Sequence, residues 1–347
     1  MRIEPDLDQS KLLELVRDRY LLDATRLTFV PYGIDSWSYV AACRDGSRVF
    51  IKLSRHGTST PSESRLLAAL AARQVAVPRP LADRGGGFMN AVDGYEVQIL
   101  EYLEGRNLEA ETSWPDDLYA RVADTVAAVH NSTNAVRDLV ERREPYELPF
   151  LAPFAVTLTA IEDRAELPLG DDPTLTTLRE MVRPRAQDLR LAIGRLETLR
   201  DRARSRDSDE VLCHTDIWGS NLLRSEDGTL HLLDWNGALL GPREYDLFMF
   251  AGTEFFPAER FGWFLDRYEA TCGRVRLDAE TLGFYFYRRN LEDLASFVQA
   301  IAEGRMETMG PDAMLGVIDD NLTELPRLEG RISHVSRVLA KARQPSA

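Results

Sequence analysis

The chain has 347 residues, 44% of them hydrophobic and 28% charged, which allows a sizeable core and excludes wholesale disorder. Its net charge of −14 argues against nonspecific nucleic-acid binding, which needs a basic footprint, and is compatible with a cationic small-molecule partner. Cys43, Cys213 and Cys272 are widely spaced and form no CxxC pair, so neither a zinc ribbon nor a disulfide framework is indicated. The N-terminus MRIEPDLDQS lacks the basic and apolar regions of a leader, and no stretch approaches the roughly 18 apolar residues of a membrane span. The expectation is a reduced, cytoplasmic protein.

Leu12, Leu13, Val16 and Tyr20 recur at helical spacing and predict a helix over 8–23, with Asp8 or Ser10 as its N-cap. Residues 27–30, 39–43 and 48–53 read as strands, the last two joined by a turn at 44–47. The loop between the first two strands carries Gly33, Ser36 and Ser38, which could lay backbone and hydroxyl donors over phosphates. Lys52 lies in an apolar strand, where an unpaired ammonium would be costly to bury. Residues 61–73 read as a helix with Leu66, Leu67 and Leu70 on its apolar face and Glu63 in its first turn. Pro78 and Pro80 force an extended connection, Gly85–Gly87 mark a turn, and residues 95–103 form another strand. Helical text begins near Trp114 and Pro115 and runs to His130, a capping or packing histidine at a helix end. Residues 141–170 hold several prolines and give no clear assignment. Residues 173–206 read as a long helical stretch interrupted at Pro184, ending in mixed charges that suit a solvated face.

The densest chemistry lies in 211–250, VLCHTDIWGSNLLRSEDGTLHLLDWNGALLGPREYDLFMF. Asp216 follows His214 by two positions, and Asn221 follows Asp216 after four residues. Gly228 reads as a hairpin turn, residues 230–233 as a short buried strand, and Asp234 ends that strand. Such a hairpin can bring the Asn221 amide and the Asp234 carboxylate together. Hard oxygens of this kind suit Mg2+, and phosphoryl transfer needs a cation on the phosphate oxygens and an aligned acceptor. Asp216 is then left to accept the acceptor hydroxyl's proton or to orient that hydroxyl. Further on, residues 285–294 read as an amphipathic helix bearing Glu292 and Asp293.

His214-x-Asp216-x4-Asn221 with Asp234-Trp235 downstream resembles the catalytic loop and metal acid of the aminoglycoside phosphotransferase and choline kinase-like families. The wider text is most similar to the spectinomycin phosphotransferase branch, and the resemblance runs from about Thr28 to about Leu294. It implies an α+β, protein kinase-like fold of two lobes. Residues 1–104 would be the nucleotide-binding lobe, an antiparallel sheet with a helix, and 105–347 a mainly helical lobe. It further implies that Lys52, held by Glu63, grips the α- and β-phosphates of ATP, with GTP left open as donor. Leu100 would border the base, and Glu101 and Leu103 would contact it through their backbones. Asn221 and Asp234 would bind Mg2+, Asp216 would align the acceptor, and His214 would brace the loop. Asp246 would hold the loop or the cleft. Asp246, Glu254, Glu292 and Asp293 are the candidates for meeting the acceptor.

Asp234 is followed by Trp235-Asn236 where protein kinases carry Phe-Gly, some relatives carry an acid at the position of Asn236, and no APE-like segment follows. Protein substrates are therefore not expected. The leading function is ATP-dependent O-phosphorylation of an aminocyclitol or aminoglycoside antibiotic such as spectinomycin, hence antibiotic resistance. The rivals are a metabolic kinase of choline, a sugar or homoserine, and a catalytically silent nucleotide-binding protein.

Overall fold

The computed structural model describes residues 3–31, 36–55, 61–111, 114–163, 172–252, 256–305 and 310–342. Contacts group the chain into two compact units. The first is Met1–Glu144 with Glu210–Pro242 and Phe264–Arg274; the second is Pro145–Asp209 with Arg243–Trp263 and Val275–Ala347. Among the described residues no helix is long and apolar enough to cross a membrane.

The first unit opens with α1 (Gln9–Tyr20), β1 (Ala24–Val30), β2 (Trp37–Cys43) and β3 (Arg48–Arg55), followed by α2 (Pro61–Ala72). Next come β4 (Met89–Val92), β5 (Tyr95–Glu101), β6 (Arg106–Asn107), α3 (Asp116–Asn131) and the single turn α4 (Thr133–Val136). It closes with β7 (Glu210–Cys213), β8 (Leu222–Arg224), β9 (Leu230–Leu232) and β10 (Leu239–Pro242). β1 to β5 make an antiparallel sheet in the order β1-β2-β3-β5-β4. The fold is α+β, as expected.

Of the two candidate caps for α1, Asp8 is the one used: its side chain accepts the Ser10 N–H. The helix stops at Tyr20, three residues before its expected end, because Leu21 turns into the left-handed region at φ 58°. Leu12 and Val16 of α1 are buried with Tyr39, Val49, Ile51, Leu53, Val97 and Ile99 in one apolar cluster. Each such aliphatic side chain contributes about 1.5–3 kcal/mol by leaving water. Strand periodicity then turns the residues between them to the opposite face. There Lys52 stands across from Ser38 and Gln98, and Phe50 stands across from Val40 and Leu100. α2 is tied to this sheet where the Gln98 side chain donates to the Ser64 hydroxyl at 2.8 Å, one residue from Glu63. His130 packs as the sequence indicates, buried with its Nδ1 2.6 Å from the Tyr268 hydroxyl.

The second unit holds α5 (Leu151–Glu162), α6 (Pro173–Val182), α7 (Ala186–Ser205), α8 (Glu244–Leu247) and the start of α9 (Phe261–Cys272). It continues with α10 (Ala279–Ala302), α11 (Pro311–Glu324) and α12 (Leu328–Ala342). α10 is its centre, in contact with α5, α6, α7, α11 and α12 and buried at every residue from Thr281 to Tyr287. Gly283 lets α12 approach closely, since a Cβ there would strike Ile332. Pro184 interrupts the 173–206 stretch as expected, in a one-turn 3-10 helix between α6 and α7. The unassigned 141–170 stretch contains α5.

Candidate active site

The 211–250 stretch folds in the order anticipated: β7, a loop, β8, a turn at Gly228 with φ 82°, β9, then Asp234. Leu222 pairs with Leu232, and the Leu233 N–H donates to the Asn221 carbonyl at 2.8 Å. Asn221 and Asp234 therefore flank the last rung of this hairpin.

Two non-glycine residues in the stretch adopt the left-handed region: Thr215 at φ 78° and Asp234 at φ 57°. Such conformations cost on the order of 1–3 kcal/mol each and persist only where surrounding contacts enforce them. His214 is one enforcer. It is fully buried, its Nε2 lies 2.7 Å from the Leu233 carbonyl, and its Nδ1 accepts the Asp216 N–H at 3.3 Å. Since a backbone N–H can only donate, these partners assign the proton to Nε2, which donates to Leu233. The ring also stands edge-on to Trp235 at 4.8 Å. Both nitrogens are thus occupied in joining the loop to the hairpin. Gly237 is the second enforcer, because a Cβ there would run into Thr215 Oγ1 and lie 3.2 Å from the His214 carbonyl.

Asn221 turns its nitrogen toward Asp216, donating to the carbonyl at 2.9 Å and to Oδ2 at 2.8 Å. Both partners only accept, so the amide orientation is fixed by chemistry. Its Oδ1 is left over and accepts no hydrogen bond among the described residues. Asp234 presents a half-exposed carboxylate. Two hard oxygen donors at the ends of one hairpin rung make a donor set that fits Mg2+.

Lys52 reaches the same place from the sheet. Its Nζ lies 3.0 Å from Asp234 Oδ1, 2.6 Å from Asn236 Oδ1 and 3.8 Å from Glu63 Oε1. Lys52 and Glu63 are each only 13% exposed, so each limits the other's desolvation cost. Burial pushes the Glu63 carboxyl above its ordinary range, and the Lys52 ammonium pulls it back.

Lys52, Glu63, Asn221 and Asp234 line one cleft of about 420 Å³. Val30, Val40, Phe50 and Leu100 form its apolar wall, Leu223 and Leu233 close it, and Ser36, Ser38, Glu101 and Leu103 border it. Among the described residues the Leu103 N–H donates to no backbone carbonyl.

Of the remaining candidates, two lie outside the described residues and three belong to the second unit. Gly33 and Glu254 lie outside the described residues. Asp246 is buried in α8, 1% exposed. On α10, Glu292 lies 3.7 Å from Arg288 and Asp293 lies 2.8 Å from Arg289, each an ion pair one helical turn apart. Arg142 was not a sequence candidate. Its Nη2 donates to the carbonyls of Asn236 and Ala238 in the turn after Asp234. No local signal marks it, because it comes from the proline-rich stretch without periodicity.

A sequence profile described as "Phosphotransferase enzyme family" matches residues 33–283. No curated protein sequence matches the chain. Among solved structures, a spectinomycin phosphotransferase in complex with ADP and spectinomycin superposes with a TM-score of 0.75 at 16% identity, over 92% of this chain and 98% of that one. An amicoumacin kinase in complex with AMP-PNP and Ca2+ gives 0.61 at 15%, over 92% and 93%. A choline kinase from Streptococcus pneumoniae gives 0.56 at 16%, over 92% and 98%. At these identities the likeness establishes the kinase-like fold.

Proposed function

The chain belongs to the phosphotransferase enzyme family, and from that premise we propose that it transfers the γ-phosphoryl group of ATP to a hydroxyl of a small molecule. The leading acceptor is an aminocyclitol or aminoglycoside antibiotic such as spectinomycin, in which case the enzyme confers resistance. The observation that carries this reading is the gathering of Lys52, Glu63, Asn221 and Asp234 on one cleft, with Asp216 hydrogen-bonded to Asn221.

In this reading the adenine lies against Leu100, Leu223 and Leu233 and meets the backbone of Glu101 and Leu103. Lys52 holds the α- and β-phosphates, exchanging its contact with Asp234 for phosphate oxygens while Glu63 keeps the ammonium in place. Asn221 and Asp234 would hold Mg2+, which when bound would neutralise charge on the phosphate oxygens. Asp216 accepts a hydrogen bond from the acceptor hydroxyl and aims its oxygen at the γ-phosphorus. The new O–P bond forms as the bond to the β-phosphate oxygen breaks, ADP departs, and Asp216 takes the hydroxyl proton. His214 stays out of the proton transfer, since both its nitrogens serve the loop.

The structural neighbours include a spectinomycin phosphotransferase and a choline kinase, both named for small molecules rather than proteins. The cationic character of the acceptor rests on the chain's net charge of −14 rather than on Glu292 and Asp293, whose carboxylates already face Arg288 and Arg289. The test is a turnover screen with ATP and Mg2+ against aminocyclitols, aminoglycosides, choline and sugars, with Asp216→Ala as the control. Phosphorylation of an aminocyclitol, lowered about 10²–10⁴-fold in the control while nucleotide still binds, is the expected result. Preference for choline or a sugar would move the protein into metabolism. An active Asp216→Ala variant would remove the assigned role.

A further inference from the structure

The acid assigned above to the metal sits on a strained turn, and the structure shows what holds it. Asp234 is in the left-handed region, and Trp235–Gly237 form a one-turn 3-10 helix after it. Helix-end carbonyls lack partners within the helix. Here the carbonyls of Asn236 and Ala238 both accept from Arg142 Nη2, the second at 3.2 Å.

Arg142 is itself anchored. Its carbonyl accepts the Leu240 N–H at 2.9 Å, and the Glu144 N–H donates back to Leu240 at 2.8 Å. Arg143 forms a parallel bridge to Leu240. Residues 142–144 therefore lie along β10, which pairs with β7, the strand that delivers His214 and Asp216. The guanidinium spans from this fixed edge to the turn. Lys52 holds the same turn from the sheet, through Asp234 and Asn236. The two grips differ in one respect: a nucleotide's phosphates compete for Lys52, whereas Arg142 binds backbone carbonyls.

We propose that Arg142 is a positioning residue for Asp234, keeping the acid's turn in place when phosphates engage Lys52. This rests on the phosphotransferase reading, because the acid it positions is the one given there to Mg2+.

The experiment is calorimetric titration of the full-length protein with AMP-PNP, with and without Mg2+, for wild type, Arg142→Ala, Arg142→Lys and Arg143→Ala. Thermal midpoints and kcat are measured beside it. Arg142→Ala removes both hydrogen bonds and should raise the Mg2+ concentration for half-maximal tightening of nucleotide binding by at least about tenfold, the effect of even one lost charge-assisted hydrogen bond. Its metal-free nucleotide affinity and thermal midpoint should stay close to wild type. Arg142→Lys should recover part of the loss, since an ammonium can still reach one carbonyl. Arg143→Ala, which loses an exposed pair with Glu210, should match wild type. An unchanged Mg2+ midpoint in Arg142→Ala would overturn the proposal, as would equal weakening with and without the metal. If Arg142→Ala does not fold, an unchanged midpoint in Arg142→Lys overturns it instead. Should the wild-type protein bind nucleotide with no Mg2+ dependence, the metal role of Asp234 falls, and this inference with it.

Discussion

Glu63 and Glu244 are buried carboxyls from different units, and their surroundings differ. Glu63 faces a cation: Lys52 stands 3.8 Å away and opposes the upward push of burial. Among the described residues Glu244 forms no ion pair; Arg206, paired with Asp278, offsets only part of the upward push of burial. Glu244 accepts the Asp278 N–H at 2.8 Å, and burial pushes its carboxyl up to about 7. A carboxyl kept beside an ammonium is a charge held ready, and removing either partner leaves the other stranded. A carboxyl near neutrality serves the packing of its loop. Substitutions in the first setting should therefore show in activity, and those in the second in stability and its pH dependence.

The sharpest break of that comparison is Lys52→Met. Losing the phosphate grip should lower kcat/KM by about 10²–10³. Because Glu63 then lies buried without its ammonium, stability should also drop by about 2 kcal/mol. Adding Glu63→Gln should restore the stability and not the activity, which urea unfolding and steady-state kinetics can separate. Equal stability for Lys52→Met and wild type would mean that Glu63 is solvated enough to need no partner.

Glu244→Gln tests the other half. The folded carboxyl titrates near 7 and the unfolded one near 4.5, so the folded state holds the extra proton between those values. The stability this gives is complete below about 4.5 and lost as pH rises through 7. Glutamine stays neutral and can still accept the Asp278 N–H. The variant should match wild type at pH 4.5 and exceed it at pH 8 by about 3 kcal/mol, with activity little changed. Parallel pH dependences of the two proteins in urea would contradict this.

Between these lies a steric prediction. Gly237→Ala places a methyl against Thr215 Oγ1 and the His214 carbonyl. Overpacking of this kind costs about 1–3 kcal/mol and shifts the strained loop that carries Asp216. The expected result is a fall in kcat of about tenfold, larger than any change in nucleotide affinity, because misplacing the acceptor's partner harms alignment first.

The parts of the molecule that were readable share a physical reason. His214, Asp216, Asn221 and Asp234 lie within about twenty residues, and a short hairpin brings them together without help from the rest of the chain. Lys52 was readable because strand alternation puts it out of phase with Val49, Ile51 and Leu53. α5 was not, since Pro145, Pro149 and Pro153 crowd its start and its exposed face carries Ala152, Ala155 and Val156, which blurs the periodicity. α12 has Leu328, Ile332, Val335 and Leu339 buried at helical spacing, so its periodicity is present in the sequence itself. Arg142 could not be read at all. Its importance depends on the fold laying residues 142–144 along β10, beside a turn nearly a hundred positions away.

The smallest expected effect concerns Glu292. Its carboxylate is 47% exposed and stands 3.7 Å from Arg288, whose guanidinium also lies over the Tyr245 ring. An exposed pair one helical turn apart contributes about 0.3–0.5 kcal/mol. Glu292→Ala should therefore change stability by no more than about 0.5 kcal/mol, and Arg288 should keep its place on Tyr245. If the carboxylate does not meet the acceptor, the acceptor KM should stay within about twofold of wild type at both low and high salt. A tenfold rise in acceptor KM at unchanged kcat would show instead that Glu292 contacts the acceptor in ground state and transition state alike. That outcome would place a working charge in the helical unit, and the contrast between the two regions would then hold for buried carboxyls only.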